Sequence, residues 1–545
     1  MRKISQTETL PTRLLLRFRS FVSRPEVQVL LPVVYQVYTL LCLVGFFKFR
    51  AQALPLLIFF VAADVLASVI ILVPKIPVNG QLICAINMLL TAGLSGQSAF
   101  ADRYPITAGG NVQDNTIKIA EFMLIGAVCG AACFGVCKLL SLLLENAKSG
   151  SANGSGKGIV LLCNLGLIAI AAFSLVMLSM DSLWVTTAGV GFQPSEVLKF
   201  LFLAFVAFVS GVESEHVSYR LKMIWQVVAF LFVALAYAGQ SEFGSLLVVT
   251  LVFGLFLLIS NKNWLATMIV VAVLAVLCAA VVGVVLGVGN TYINEKYGEQ
   301  TYLTDEAGNV LTDEAGDPVP DTADNKLYGH EFPAPVQKLV NLFTYNYEKI
   351  YMRFMVTKDI DGTDPGTPPG VREALQSYYS DQAHAALDAI GISRLIPYNG
   401  PIFKYVAVGM SDYVYTSVLQ AGGLVGVIFM LFAYILMADT AFSLVCRNCS
   451  LFHRYIVFVM VTVLQMQLFI NVLGVNNVIP LTGITLPFVS AGGSSLVVCT
   501  MMLATVFFAD MDYNARKRRL VQSWEDGEHA EKGVELYDLE QFSAQ

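Results

Sequence analysis

Apolar residues recur along this chain in long unbroken runs separated by short polar clusters. About twelve such runs lie near 30–47, 54–73, 81–98, 117–142, 158–180, 195–212, 221–238, 243–260, 264–288, 412–438, 454–475 and 490–510. Each is long enough to cross about 30 Å of hydrocarbon as a helix, whereas a β-barrel would show alternating segments of about ten residues. The pattern predicts an all-α polytopic membrane protein of about twelve transmembrane helices, with a long extracellular loop before the tenth. The third run is the weakest, since Asn87 and Gly93 interrupt it. Composition agrees: 56% of residues are hydrophobic and 14% charged, against about 25% charged in a soluble chain.

Basic residues set the expected orientation. The N-terminal arm, 1–29, carries Arg2, Lys3, Arg13, Arg17, Arg19 and Arg24, and the tail, 511–545, opens with Arg516-Lys517-Arg518-Arg519. Both are expected on the cytoplasmic side, which requires an even number of crossings. The arm precedes a run with no small-residue cleavage pattern, so the first segment reads as a retained anchor. Lys75, Lys148, Lys157, Arg220, Lys222, Lys262, Arg447 and Arg454 then fall inside, and Lys48 and Arg50 fall outside, a mild violation. The remaining divisions are N-terminal helices over 30–180 and a core over 181–510.

The loop 289–411 is too long to be a connector. It is acidic, with 17 Asp and Glu against 9 Lys and Arg, and it repeats Leu-Thr-Asp-Glu-Ala-Gly at 303–308 and 311–316. Residues 290–335 read as an exposed excursion, while apolar periodicity in 336–411 predicts short helices at the membrane surface. The ten cysteines fall in apolar runs or in the short Cys446–Cys449 loop and imply no disulfide framework. Cys129, Cys133 and Cys137 share a helix face without His or carboxylate, which favours packing over metal binding.

The polar motifs all face outward in this orientation. The stretch Pro480–Ser495 holds two prolines and three glycines between two apolar runs; irregular backbone at membrane depth is tolerated only where protein or a water-filled cavity satisfies it. Asp412 stands where the long loop enters the tenth run, among aromatic residues. Partial desolvation there suits a general base, and a helix-capping aspartate is the alternative. Gln193-Pro194-Ser195-Glu196 suits a helix start. Lys199, inside an apolar helix, needs a partner or a cavity, and Glu196 is within helical pairing reach. Gln467 and Asn471 lie four apart on one helical face.

These motifs together resemble the SEDS family of bacterial cell-wall polymerases, the relatives of RodA, FtsW and SpoVE. Pro480–Ser495 resembles the family's PVTGIPLPFVSYGGSS, and Gln193–Lys199 resembles QPSEFAKL. Gln240–Ser245 resembles QPDLGT with Glu242 in place of Asp, and Gln467–Asn471 resembles QALIN. Asp412–Gly426 resembles DFIFAVIAEELGLIG, in which the aspartate is catalytic. The family's paired glutamates are Gln420 and Ala421 here, and the following leucine is Gly422. Trp184 matches the family's tryptophan without its preceding arginine. Arg353 resembles an arginine opening the family's catalytic loop, and Gln382 and Gly391 align with the same loop. The resemblance spans roughly 180–510 and is poor across 290–400. The family has ten membrane segments, so two of the five before Gln193 are additional.

The resemblance implies a peptidoglycan glycosyltransferase in the bacterial cytoplasmic membrane. It would polymerise lipid II, the undecaprenyl-pyrophosphate-linked disaccharide pentapeptide, beside a class B penicillin-binding protein. It implies Asp412 as the catalytic base. Lys199, Glu196, Gln193, Glu242, Arg353, Gln467, Asn471, Thr482, Ser490, Ser494 and Ser495 are the expected substrate-binding set. No cofactor is implied with certainty; a divalent cation, Mg or Mn, is left open, and no nucleic-acid partner is indicated. Two other readings stand beside it. A flippase or transporter for the same lipid would carry charges at mid-depth in several helices, and Asp64 is the clear case. A non-catalytic scaffold of a cell-wall complex would leave Asp412 dispensable.

Overall fold

The computed structural model describes residues 17–47, 53–73, 78–101, 112–148, 155–180, 185–187, 190–213, 217–240, 242–260, 264–297, 327, 332–365, 367–376, 380–391, 410–448 and 450–525. All twelve apolar runs are helical. In order they are α1 (Pro25–Phe47), α2 (Ala53–Leu72), α3 (Gly80–Ala101), α4 (Val112–Lys148), α5 (Ser155–Ser179), α6 (Pro194–Gly211), α7 (Tyr219–Gly239), α8 (Phe243–Ser260), α9 (Trp264–Tyr297), α13 (Val414–Arg447), α14 (Leu451–Val475) and α15 (Gly493–Glu525). Eleven helices among the described residues are long and apolar enough to cross a membrane, and α9 carries the remaining run. The chain is a multi-pass membrane protein. One small departure from helix is an antiparallel hairpin, β1 (Val185–Thr187) with β2 (Val190–Phe192), in which Val185 pairs with Phe192.

Hydropathy and burial run in opposite directions here. The third run, weakest by hydropathy, is the most enclosed of the eleven spans, whereas α2, apolar all round, is the least. A helix wrapped by protein needs close approach more than greasiness, and small residues supply it. A Cβ on Gly96 would lie 3.0 Å from the Val418 backbone nitrogen of α13, and one on Gly93 would lie 2.5 Å from the Val489 carbonyl oxygen. Asn87 of α3 joins its neighbours: Gln36 Nε2 of α1 donates to its Oδ1 at 3.2 Å, and its Nδ2 donates to Asp64 Oδ1 of α2 at 2.7 Å. Asp64 thus serves an interhelical amide chain.

The main core packs α6, α7, α8, α13, α14 and α15 together. Phe230 and Phe253 stack at 5.1 Å, and Phe202 meets Phe253 edge-on at 5.4 Å. Helix α13 is kinked at Gly423 (φ 61°, ψ −165°). The kink frees the Gly422 carbonyl, to which Tyr38 Oη of α1 donates at 2.6 Å, and Tyr35 Oη donates to Gly426 O at 3.2 Å one turn further on. Tyr35 also stacks on Phe429.

The long loop contains α10 (Ala334–Lys358), α11 (Pro369–Ala374) and α12 (Ser380–Gly391). The first is longer than the short surface helices predicted. It packs on the end of α9 through Ile293, Tyr347, Met352 and Met355, together with Val371 and Leu375. Lys296 Nζ bonds Glu348 Oε1 at 2.9 Å across that contact. The excursion 290–335 and its repeat lie largely outside the described residues, as do Trp184, the N-terminal arm before residue 17 and the tail after residue 525.

Candidate active site

Between α14 and α15 the backbone leaves helical geometry over residues 476–492, and surrounding groups satisfy it. Asn471 Nδ2 donates to Ile484 O at 2.7 Å, Tyr434 Oη to Pro487 O at 2.7 Å, and Gln97 Nε2 to Val489 O at 3.1 Å. Ala491 N donates to Met410 O at 2.8 Å. Ser490 Oγ donates to Ser411 O and accepts from Leu486 N, both at 2.8 Å. Asn477 and Phe488 adopt positive φ (55° and 63°), a conformation that persists only where neighbours over-determine it. Glycines let helices close on the segment from two sides. Gly93 meets Val489, and a Cβ on Gly244 would lie 2.8 Å from Thr482 O.

This segment forms one wall of a narrow polar cleft lined by Gln193, Glu196, Lys199, Glu242, Ser245, Gln467 and Thr482–Thr485, with about 20 Å³ of space for water-sized groups. Pro194 opens α6 at its first turn, which sets Glu196 and Lys199 three residues apart on one face. Lys199 Nζ lies 2.8 Å from Glu196 Oε2 and 2.9 Å from Oε1, and the lysine side chain is 1% exposed. The cost of burying that ammonium is met by a partner equally buried. Gln193 Nε2 donates to Glu242 Oε1 at 2.6 Å, and Ser245 Oγ to Glu242 Oε2 at 3.2 Å. Burial pushes the Glu242 carboxyl up, as does the charge of Glu196; Gln193, Ser245 and Lys199 oppose the rise.

Asp412 precedes α13, whose cap position is Tyr413, so it is not the capping residue. Asn471 Nδ2 donates to its carbonyl oxygen at 2.9 Å. Its carboxylate faces Gly483, which has φ 72°: a Cβ there would lie 3.5 Å from Asp412 Oδ2 and 3.8 Å from Arg353 Nη2 of α10. Burial raises the Asp412 carboxyl above its ordinary range, opposed by the Arg353 charge and the Ser411 hydroxyl. Gly483 thus lies against the carboxylate and the guanidinium and also lines the cleft that holds the Lys199–Glu196 pair.

Of the residues singled out in the sequence, Gln193, Glu196, Lys199, Glu242, Gln467 and Thr482 line the cleft, and Asp412 and Arg353 lie beside its lining residue Gly483. Asn471 ties Asp412 to the loop. Ser490 is bonded to backbone on both sides, Ser495 Oγ pairs with Thr485 Oγ1 at 2.8 Å, and Ser494 is buried at the start of α15. Gln382 and Gly391 fall in α12. Ser245, Thr485 and Gly483 also line the cleft and were not among the expected site residues. The signal for Gly483 was its place between two prolines, where only a left-handed backbone requires glycine. Among the described residues no group of three His, Cys, Asp or Glu side chains is placed to hold a metal ion, and the two cleft carboxylates are already bonded to Lys199 and to Gln193 and Ser245.

A family model for cell cycle proteins, named for FtsW, RodA and SpoVE, matches residues 122–300 and 371–515. A probable peptidoglycan glycosyltransferase FtsW of Bacillus subtilis is 23% identical over 347 residues, covering 63% of this chain and 70% of that protein. The peptidoglycan glycosyltransferase MrdB of Escherichia coli is 31% identical over 88 residues, 16% of this chain and 24% of that protein. Among solved structures, a chain from a peptidoglycan synthase complex aligns over 80% of this chain and 98% of its own, with 16% identity and a TM-score of 0.47. Rod shape determining protein RodA of Thermus thermophilus aligns over 80% and 97%, with 15% identity and a TM-score of 0.43.

Proposed function

Because this chain belongs to the FtsW/RodA/SpoVE family of cell cycle proteins, we propose that it is a peptidoglycan glycosyltransferase that polymerises lipid II. The observation that carries the mechanism is that Asp412 and Arg353 both lie beside Gly483, a residue that also lines the Lys199 cleft. Glycan extension needs a sugar hydroxyl to attack an anomeric carbon while a lipid diphosphate leaves. Asp412, as general base, takes the proton of the attacking hydroxyl as the new C–O bond forms. The old bond to the diphosphate oxygen breaks with its electron pair on that oxygen. Arg353, and Lys199 deeper in the cleft, offset the charge of the departing diphosphate. We assign no step to a divalent cation, since the cleft residues do not form a metal-ligand set.

The basic arm and tail support cytoplasmic termini, and in that orientation the cleft opens outward from the cytoplasmic membrane, where a lipid-linked sugar would be held at the interface. A second pocket beside the segment, lined by Ile119, Phe122, Ala491 and Leu496, is the seat we assign to the polyprenyl tail. Cross-linking of the glycan is a separate amide-forming reaction, and a class B penicillin-binding protein is the partner we assign to it. The decisive experiment is incubation of the purified chain, with and without that partner, with labelled lipid II. A ladder of glycan products on a gel is expected. Lipid II returned unpolymerised, but moved across vesicle membranes, would favour a lipid transporter.

A further inference from the structure

Asp412 stands just before α13, whose backbone leaves helical geometry once, at Gly423 (φ 61°, ψ −165°). That conformation is open to glycine and to almost no other residue. The break divides α13 into a short half, 414–422, next to Asp412, and a long half, 424–447. The short half is held at three levels. At its start, Asn471 Nδ2 donates to Asp412 O at 2.9 Å, Ser490 Oγ to Ser411 O at 2.8 Å and Ala491 N to Met410 O at 2.8 Å. At its middle, Gly96 of α3 packs against the Val418 backbone. At its far end, Tyr38 Oη of α1 donates to the buried Gly422 carbonyl at 2.6 Å. The same N-terminal stretch also holds the long half. Tyr35 Oη donates to Gly426 O at 3.2 Å, its ring stacks on Phe429 at 4.7 Å, and Arg19 Nε donates to Asp439 Oδ1 at 2.7 Å. Helix α1, which precedes the residues that match the family, therefore grips α13 on both sides of its break.

We propose that Tyr38 is a positioning residue for glycosyl transfer: by holding Gly422 it sets the angle of the short half of α13, and with it the place of Asp412 beside Arg353 and Gly483. Two successive glycines, Gly422 and Gly423, leave the backbone free to turn. The angle is then set by what binds each half, and α1 binds both. A buried carbonyl has no water to replace the tyrosine hydroxyl, so losing that hydroxyl favours states in which Gly422 turns toward another donor. The short half is about 12 Å long, so a tilt of about 5° at the break moves its start by about 1 Å. A misplacement of that size can cost about a hundredfold in rate. The hydrogen bonds at Met410, Ser411 and Asp412 limit the movement, so a smaller loss is expected. The inference rests on the polymerase reading above.

The test combines Tyr38→Phe, which removes only the hydroxyl, with Gly423→Ala, which opposes the break, in the full chain with labelled lipid II. Tyr38 does not line the cleft, so Tyr38→Phe is expected to lower kcat about tenfold, the worth of one buried hydrogen bond, with KM changed less than about twofold. Gly423→Ala is expected to lose at least as much. The double variant is expected to lose no more than the worse single variant, because both changes act through one break. Amide hydrogen exchange read by mass spectrometry follows the short half without turnover. Exchange over 414–426 is expected to quicken about tenfold in Tyr38→Phe, while 451–475 of α14 keeps its wild-type rate. Wild-type kcat in Tyr38→Phe, or losses that multiply in the double variant, overturn the proposal. So does a fall in kcat with exchange unchanged. If Gly423→Ala fails to fold, Tyr38→Phe and its exchange decide alone. A wild type that forms no glycan overturns the polymerase reading instead, and the exchange comparison still decides whether Tyr38 holds the short half.

Discussion

Asn471 holds Asp412 by its backbone: the Asn471 amide nitrogen donates to the Asp412 carbonyl oxygen at 2.9 Å and, with its second hydrogen, to Ile484 O at 2.7 Å. One side chain thereby fixes the start of α13 against the irregular 476–492 segment. Asn471→Leu leaves both carbonyls without a donor, at a cost of about 1–3 kcal/mol. The expected result is a fall in kcat larger than any rise in KM, with a lower melting temperature in detergent. An unchanged kcat in a protein that has lost stability would reduce Asn471 to a structural tie.

The pH dependence follows from the same carboxylate. As a base Asp412 works deprotonated, so activity is lost as pH falls through its folded pKa. Burial places that pKa above the ordinary carboxylate range, and Arg353 opposes the rise. Removing the Arg353 charge by Arg353→Gln should therefore move the acid limb of the kcat profile to higher pH. A limb that stays in place, or moves down, contradicts the coupling.

Gly483 has a left-handed backbone, and its Cβ position lies between Asp412 and Arg353. Gly483→Ala adds about 1–2 kcal/mol of backbone strain and a methyl group in the opening. Polymerisation should fall about tenfold or more while the protein still elutes as a folded species in detergent. Full activity would show that the opening is wider in the working state.

Lys199 and Glu196 are buried together. Losing one partner of such a pair costs roughly 3–5 kcal/mol, while replacing both is often tolerated. Lys199→Met should destabilise strongly, and Glu196→Gln with Lys199→Met should restore the melting temperature. Activity still absent in the restored double variant places Lys199 against the substrate diphosphate; restored activity assigns the lysine a structural role.

The membrane helices were legible because apolar length alone specifies them, including the weak third run, whose small and polar residues Gly93, Gly96 and Asn87 serve contacts with α13, the 476–492 segment and Asp64. The irregular segment was legible through Pro480, Pro487 and its glycines. The meeting of Arg353, Asp412 and Gly483 was not, since it depends on how the long loop packs on α9 and back across the bundle. The β1–β2 hairpin has strands too short for alternation to register. Gly422 read as a departure from the family pattern; the structure puts it next to a kink at Gly423, and its carbonyl accepts from Tyr38. Ser490, expected at the substrate, has a hydroxyl already engaged by the Ser411 and Leu486 backbones.

The base assignment is tested most directly by Asp412→Asn in the purified chain with its partner, using labelled lipid II. The amide keeps the shape and volume of the carboxylate but cannot take the proton. A protein that folds and binds lipid II as wild type does, yet forms glycan at least about a hundredfold more slowly, is expected from loss of a general base. Glycan formed at the wild-type rate by Asp412→Asn would contradict it.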